Sequence, residues 1–253
     1  MGIVLQTRLE PLRIPAGWQV FHNVFTDADP LEEAGEFVNS FLFVEDLLYI
    51  RAADKAVKGA ATFHLYLGWW PDQEIDGAYD LSILMEGPDD LRWEFSSSQR
   101  SVIVAQIERW LRLLDAHQHG RITLDLAHFD QIDPADVVLP AESVAPLEPL
   151  RIGTGWVVAL NRFHEGASQG STAVDAEQAL LQLTKPGDET RLPLELLLGI
   201  APASEGGRAF LLTLRRGDTT EILRSHQTVE RADALATLEE WVKLGYQIQT
   251  GEA

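Results

Sequence analysis

The chain has 253 residues, and its 39 acidic groups outnumber 20 basic ones for a formal net charge of −19. Its 45% hydrophobic content is that of an ordinary globular protein, which argues against wholesale disorder. The absence of cysteine excludes disulfides, thiolate-zinc sites, iron–sulfur clusters and cysteine nucleophiles, and the acidity argues against nucleic acid, whose phosphates need Lys and Arg in return.

No stretch approaches the roughly 20 apolar residues that span a bilayer, so no membrane association is expected. The first residues lack the basic and long apolar regions of a signal peptide, and a cytoplasmic location is the simplest expectation.

The chain repeats itself. Residues 9–25 (LEPLRIPAGWQVFHNVF) and 147–163 (LEPLRIGTGWVVALNRF) share eleven of seventeen positions at an offset of 138. A second block sets 65–111 against 196–242 at an offset of 131, pairing Leu65, Leu67, Gly68 and Pro71 with Leu196, Leu198, Gly199 and Pro202. The same block pairs Arg100 with Arg231 and Trp110 with Trp241. Two collinear blocks point to a duplicated module of about one hundred residues, a normal domain size.

In chain order, residues 18–25 alternate and are rich in strand formers. Runs at 47–53, 61–69, 77–85 and 91–95 follow, separated by short polar, Gly or Pro turns that favour antiparallel neighbours. Ser96 with Gln99 three residues on fits a capping box. It predicts a helix to about Leu114, with Ile103, Ile107, Trp110, Leu111 and Leu114 on one face. Residues 121–129 (RITLDLAHF) alternate and predict a sixth strand, and Asp133-Pro134 and Leu139-Pro140 mark a boundary near 130–140. In the second copy Thr228 opens a helix with Ala234, Leu235, Leu238, Trp241 and Val242 in the equivalent stripe, and 246–249 read as a short strand. The expected fold is α+β: two tandem modules, 1–130 and 131–253, each an antiparallel meander of about five strands closed by one amphipathic helix. A sheet with one helix leaves a face or an edge to cover. The two copies are therefore expected to pack about a pseudo-twofold axis, giving a monomer that imitates a dimer.

The LRIPAGW start, the Gly68-Trp69-Trp70-Pro71 turn and the terminal IERWL helix resemble small bacterial proteins of unassigned function that carry one such module. The resemblance covers most of 9–115 and, more weakly, 147–245. It implies fold and organisation and brings no activity with it.

Candidate chemistry is sparse. Asp72-Gln73-Glu74-Ile75-Asp76-Gly77 begins like a calcium loop, but Ile83 stands where a bidentate Glu is required and the flanks read as strands, so an acidic hairpin turn is expected. His117 and His119, with Asp125, His128 and Asp130 nearby, are metal-ligand types, but the predicted strand sends Asp125 and His128 to opposite faces. No nucleophile elbow, zincin, P-loop or dinucleotide motif is present, and no metal, cofactor or catalytic residue is expected. Asn23 and Asn161, matched between the copies, read as caps of a backbone group.

Charge is more informative. Both halves are acidic, but the first gathers its acids in two places. Between Arg13 and Arg51 lie Asp27, Asp29, Glu32, Glu33, Glu36, Glu45 and Asp46 without a Lys or Arg. Asp72, Glu74, Asp76, Asp80, Glu86, Asp89, Asp90 and Glu94 form the second cluster, beside Trp69 and Trp70. Acids around exposed aromatics suit a basic protein partner. The expected function is therefore a non-catalytic acidic binding module, of inhibitor or immunity type, contacting its partner through Asp27, Asp29, Glu32, Glu33, Glu36, Trp69, Trp70, Asp72, Glu74 and Asp76. The alternative is a small-ligand protein or hydrolase with a site between the modules, in which His22, His64 and Asp80 take part.

Overall fold

A computed structural model describes residues 7–52, 62–86, 91–139, 146–165, 179–188, 191–203, 207–217, 219 and 221–250. Asp89, Asp90 and part of the 139–140 boundary signal lie outside them. The fold is α+β, with a large antiparallel sheet and few helices. The chain divides into two compact units: residues 1–12 with 20–141, and residues 13–19 with 142–253.

The first unit contains β1 (Trp18–Asn23, of which Trp18 and Gln19 belong to the other unit), the small hairpin β2 (Glu32–Glu33) and β3 (Glu36–Phe37), β4 (Leu48–Ala52), β5 (Phe63–Trp70), β6 (Ala78–Met85), β7 (Leu91–Ser97) and α1 (Arg100–Gln118). Its strands lie in the order β1-β4-β5-β6-β7, a meander. Alternation sets the two faces. Phe63, Leu65, Leu67 and Trp69 of β5 are buried, with Tyr79, Leu81 and Ile83 of β6 and Trp93 of β7. Helix α1 packs on β6 and β7 and buries Ile103, Ile107, Trp110, Leu111 and Leu114, as the helical spacing predicts.

Two expectations need correction here. The capping box does not form. Ser96 and Ser97 continue β7, paired with Asp80 and Tyr79, and Gln99 precedes the helix without a side-chain cap. The helix start is tied down instead by Arg100, which bonds Glu10 and Asp29. Residues 121–129 form no strand: Leu126–Gln131 is a 3₁₀ segment, with the Asp125 side chain accepting the Ala127 N–H. Its purpose is Phe129, fully buried and stacked on Trp93 at 4.3 Å, whose carbonyl accepts the Trp93 indole N–H at 2.8 Å. Filling a core position between Trp93 and Phe63 outweighs the pairing that alternation alone would favour.

The second unit contains β8 (Val157–Asn161), β9 (Ala179–Lys185), β10 (Leu194–Pro202), β11 (Arg208–Arg216), β12 (Ile222–Thr228) and α2 (Arg231–Thr250). The strands lie in the order β8-β9-β10-β11-β12, and Trp18 and Gln19 of β1 pair with Val158 and Val157 on the outer side of β8. Helix α2 packs on β10, β11 and β12, burying Ala234, Leu238, Trp241 and Val242, while Leu235 is half-buried. Residues 246–249 are not a strand but the last turn of α2. Its Gln249 amide donates to the carbonyls of Pro186 and Leu192.

The same local devices recur in both units. Leu9 bridges Thr26 and Leu147 bridges His164. Asn23 accepts the Phe25 N–H and Asn161 the Phe163 N–H, each at 3.1 Å, which is the capping role expected of both. Arg100 bonds Glu10, and Arg231 bonds Glu148. Gly17 and Gly155, matched in sequence and both within the second unit, turn into the buried Trp18 and Trp156 at φ of 88° and 87°, a backbone that only glycine adopts at little cost. Across the hairpins, Gly68 pairs with Asp80 and Gly199 with Leu211, while Leu67 pairs with Leu81 and Leu198 with Leu212.

Candidate functional site: an acidic cleft beside Trp70

The acidic segments, distant in sequence, are brought together by backbone contacts. The Trp69 N–H donates to the Val44 carbonyl and the Gln73 N–H to the Phe43 carbonyl, each at 2.9 Å. The Phe43 ring packs edge-on against Trp69 at 4.9 Å and against Phe37 at 5.2 Å. The turn after β5 therefore leans on the segment that follows β3. Asn39, buried, anchors that segment: its amide oxygen accepts the Leu31 N–H and its NH₂ donates to the Asp29 carbonyl, each at 2.9 Å.

The expected partner residues separate on inspection. Glu32, Glu33 and Glu36 are exposed on the β2–β3 hairpin, turned at Ala34 and Gly35. Asp72, Glu74 and Asp76 are exposed in the turn between β5 and β6, the acidic hairpin turn expected there. Asp29 pairs with Arg100 at 2.9 Å, and Asp27 accepts the Arg8 N–H. Trp69 corrects the expectation of an exposed tryptophan pair. It is 1% exposed, its indole N–H held by the Glu74 carbonyl at 2.8 Å, and it serves the core rather than a partner. Trp70, next in a strand whose side chains alternate, is 61% exposed.

Between these segments lies a cleft of about 360 Å³, lined by Glu45, Asp46, Tyr66, Leu67, Gly68, Trp69, Trp70 and Asp80. Its floor is Gly68, where the Glu45 backbone closes so tightly that a Cβ would run into the Glu45 carbonyl. Asp80 stands opposite Gly68 on β6. None of the lining residues is a Lys or Arg. Of them, Tyr66, Leu67 and Gly68 were not singled out as site residues. The available signal was a glycine inside a strand of otherwise bulky residues, flanked two positions away by aromatics on the same face.

Beside the cleft, the face of β4 and β5 away from α1 carries a row of rings. Phe21 stacks on Tyr49 at 5.1 Å, Tyr49 on Tyr66 at 4.5 Å with planes 3° apart, and His64 on Tyr49 at 6.0 Å. Arg51 lies over Phe21. Burial, aided by the Tyr49 hydroxyl, pushes the Tyr66 phenol up to about 12, so it is neutral at physiological pH.

The residues of the alternative reading do not converge. The His22 ring meets the Asp46 carbonyl at 3.1 Å, while the His64 Nδ1 meets the Tyr49 hydroxyl at 2.9 Å and its other nitrogen faces Glu86. Asp80 pairs with Gly68, four residues along β5 from His64, about 13 Å at strand spacing. The histidines after α1 form no cation site either. His117 accepts the Leu124 N–H, His119 and His128 turn to Asp115 and Asp125, and the described residues hold no cluster of three metal-ligating side chains.

No family model, no curated protein and no solved structure matches the chain. No helix among the described residues is long and apolar enough to cross a membrane.

Proposed function

We propose that this protein is a non-catalytic acidic binding module that docks a basic protein, as an inhibitor or immunity-type protein does. One observation carries the reading: two acidic segments separated in sequence adjoin at one cleft, with an exposed tryptophan at its rim and no cation in its lining. Carboxylates at a rim steer a cationic partner, and a large aromatic supplies the buried contact that fixes it. The expected outcome is retention of a basic protein from the same cell at low salt and its release at high salt, because exposed charges are screened over about 8 Å at physiological ionic strength. Failure to retain any basic partner at low salt removes the reading.

The two units are read as copies of one duplicated module, the second serving mainly as scaffold. Support comes from the shared offsets of the sequence blocks and from the matched bridges, asparagine caps, arginine–glutamate pairs and hairpin registers. At the second copy's matching positions Tyr66, Trp70 and Asp80 are replaced by Leu197, Ala201 and Leu211, so two rings and a carboxylate give way to aliphatic side chains.

A further inference from the structure

We infer that the outer edge of β8 is a docking edge for β8 of a second copy of this chain, covered in the single chain by residues 13–19. This rests on the duplication read above and gives the repeated segment a role. The register of the pairing points to it. Gln19 lies opposite Val157, its own counterpart at the offset of 138, and Trp18 lies opposite Val158, the counterpart of Val20. A register that sets a position against its own repeat is self-complementary, as two identical strands about a twofold axis are. β8 can therefore pair with β8 of a second copy in the register it already uses, Val157 against Val157 and Trp156 against Val158.

A second copy brings the groups that residues 13–19 supply. Arg13, Ile14, Gly17 and Trp18 recur as Arg151, Ile152, Gly155 and Trp156. At the edge, Arg13 donates to the Leu147 carbonyl and pairs with Glu165. The Ile14 carbonyl accepts from the Asn161 amide, and the Gly17 N–H donates to the Val158 carbonyl. These bonds use only backbone groups and one arginine, so the same set is open to residues 151–155 of a copy. Arg151 holds Glu239 through Nη1, whereas Arg13 works through Nε and Nη2. Gly155 already has the left-handed backbone that Gly17 uses, φ of 87° against 88°. A strand edge left open pairs with another chain. In the intact chain the tethered segment prevails, because a tether gives an effective concentration of about millimolar. Releasing the segment opens the edge to a copy.

The test uses the full chain, which has no cysteine of its own. Val157→Cys and Ala159→Cys are each placed in the unaltered chain and in one whose segment is dislodged by Arg13→Glu with Gly17→Val. The first change sets a carboxylate against Glu165 and the Leu147 carbonyl, and the second forces a β-branched residue to a φ of 88°. Under mild oxidation, Val157→Cys in the dislodged chain should form a disulfide-linked dimer at least about tenfold faster than in the unaltered chain. Ala159→Cys should not, although it is the more exposed position, because this register sets it about 13 Å along the strand from its own copy. Equal rates at the two positions report random collision, that of unfolded chains included, and overturn the docking edge. Equal rates with and without the dislodging changes overturn it too, as does a dislodged chain that stays monomeric. Each of these leaves the duplication standing, since that reading draws on the sequence blocks and the matched devices.

Discussion

Tyr66 does two things at the residue scale. Its ring lines the cleft, and its phenol, like that of Tyr79, is held protonated by burial beyond the ordinary tyrosine range. Tyr79 is shifted in the same direction, first by burial and then by the Asp29 charge. A raised pKa in the folded state gives stability that is complete below the unfolded value near 10. The unfolded chain ionises as pH passes that value while the folded chain does not, so stability falls with rising pH from about 10 through 12. Denaturant titrations across that window should show the decline, and Tyr66→Phe should make it shallower. An equal slope in the variant would mean that Tyr66 ionises as freely folded as unfolded. The neighbouring positions show how alternation sorts identical residue types: Trp69 goes to the core and Trp70 to solvent because they are adjacent in a strand.

At the scale of elements, Phe129 separates pattern from packing. Its 3₁₀ segment exists to plug the core beside Trp93 and Phe63, so Phe129→Ala should cost about 3–5 kcal/mol in chemical denaturation. Leu126→Ala, at a half-buried position in the same segment, should cost clearly less. A strand with ordinary alternation would put Leu126 on the face of Ile122 and Leu124 and Phe129 on the opposite one, so Leu126→Ala would then be the costlier change. Most elements were legible in the sequence. The strands at 47–53, 61–69, 77–85 and 91–95 appear within two residues of their expected bounds, and the stripe of α1 is buried as its spacing predicts. What was missed depends on distant partners. RITLDLAHF alternates, yet Trp93 draws Phe129 inward. Ser96 and Gln99 match a cap, yet β6 keeps Ser96 in the sheet. YQIQ alternates, yet α2 continues because Gln249 finds the carbonyls of Pro186 and Leu192. The β2–β3 hairpin escaped notice because two-residue strands carry no period, although Ala34-Gly35 was its turn signal. The cleft was half visible. Its acids stood out by charge, but that the Glu45 backbone closes on Gly68, between the two acidic segments, depends on strand register.

At the scale of the whole molecule, one early segment is grouped with the later part of the chain. Residues 13–19 belong with 142–253 rather than with the first half. Gly17 donates to the Val158 carbonyl at 2.7 Å, Arg13 donates to the Leu147 carbonyl and pairs with Glu165, and Asn161 donates to the Ile14 carbonyl at 2.9 Å. Residues 1–130 expressed alone are therefore expected to aggregate or to unfold at a lower temperature than the full chain, because this segment loses every one of those partners. A monodisperse, monomeric fragment as stable as the full protein, by size exclusion and thermal melting, would show that the segment needs none of them. The same bonds have a consequence in time. They join positions 134 to 152 residues apart, and long loops are closed late and slowly. On the ribosome, residues 13–19 emerge ahead of the rest of their unit and wait for a strand made more than a hundred residues later.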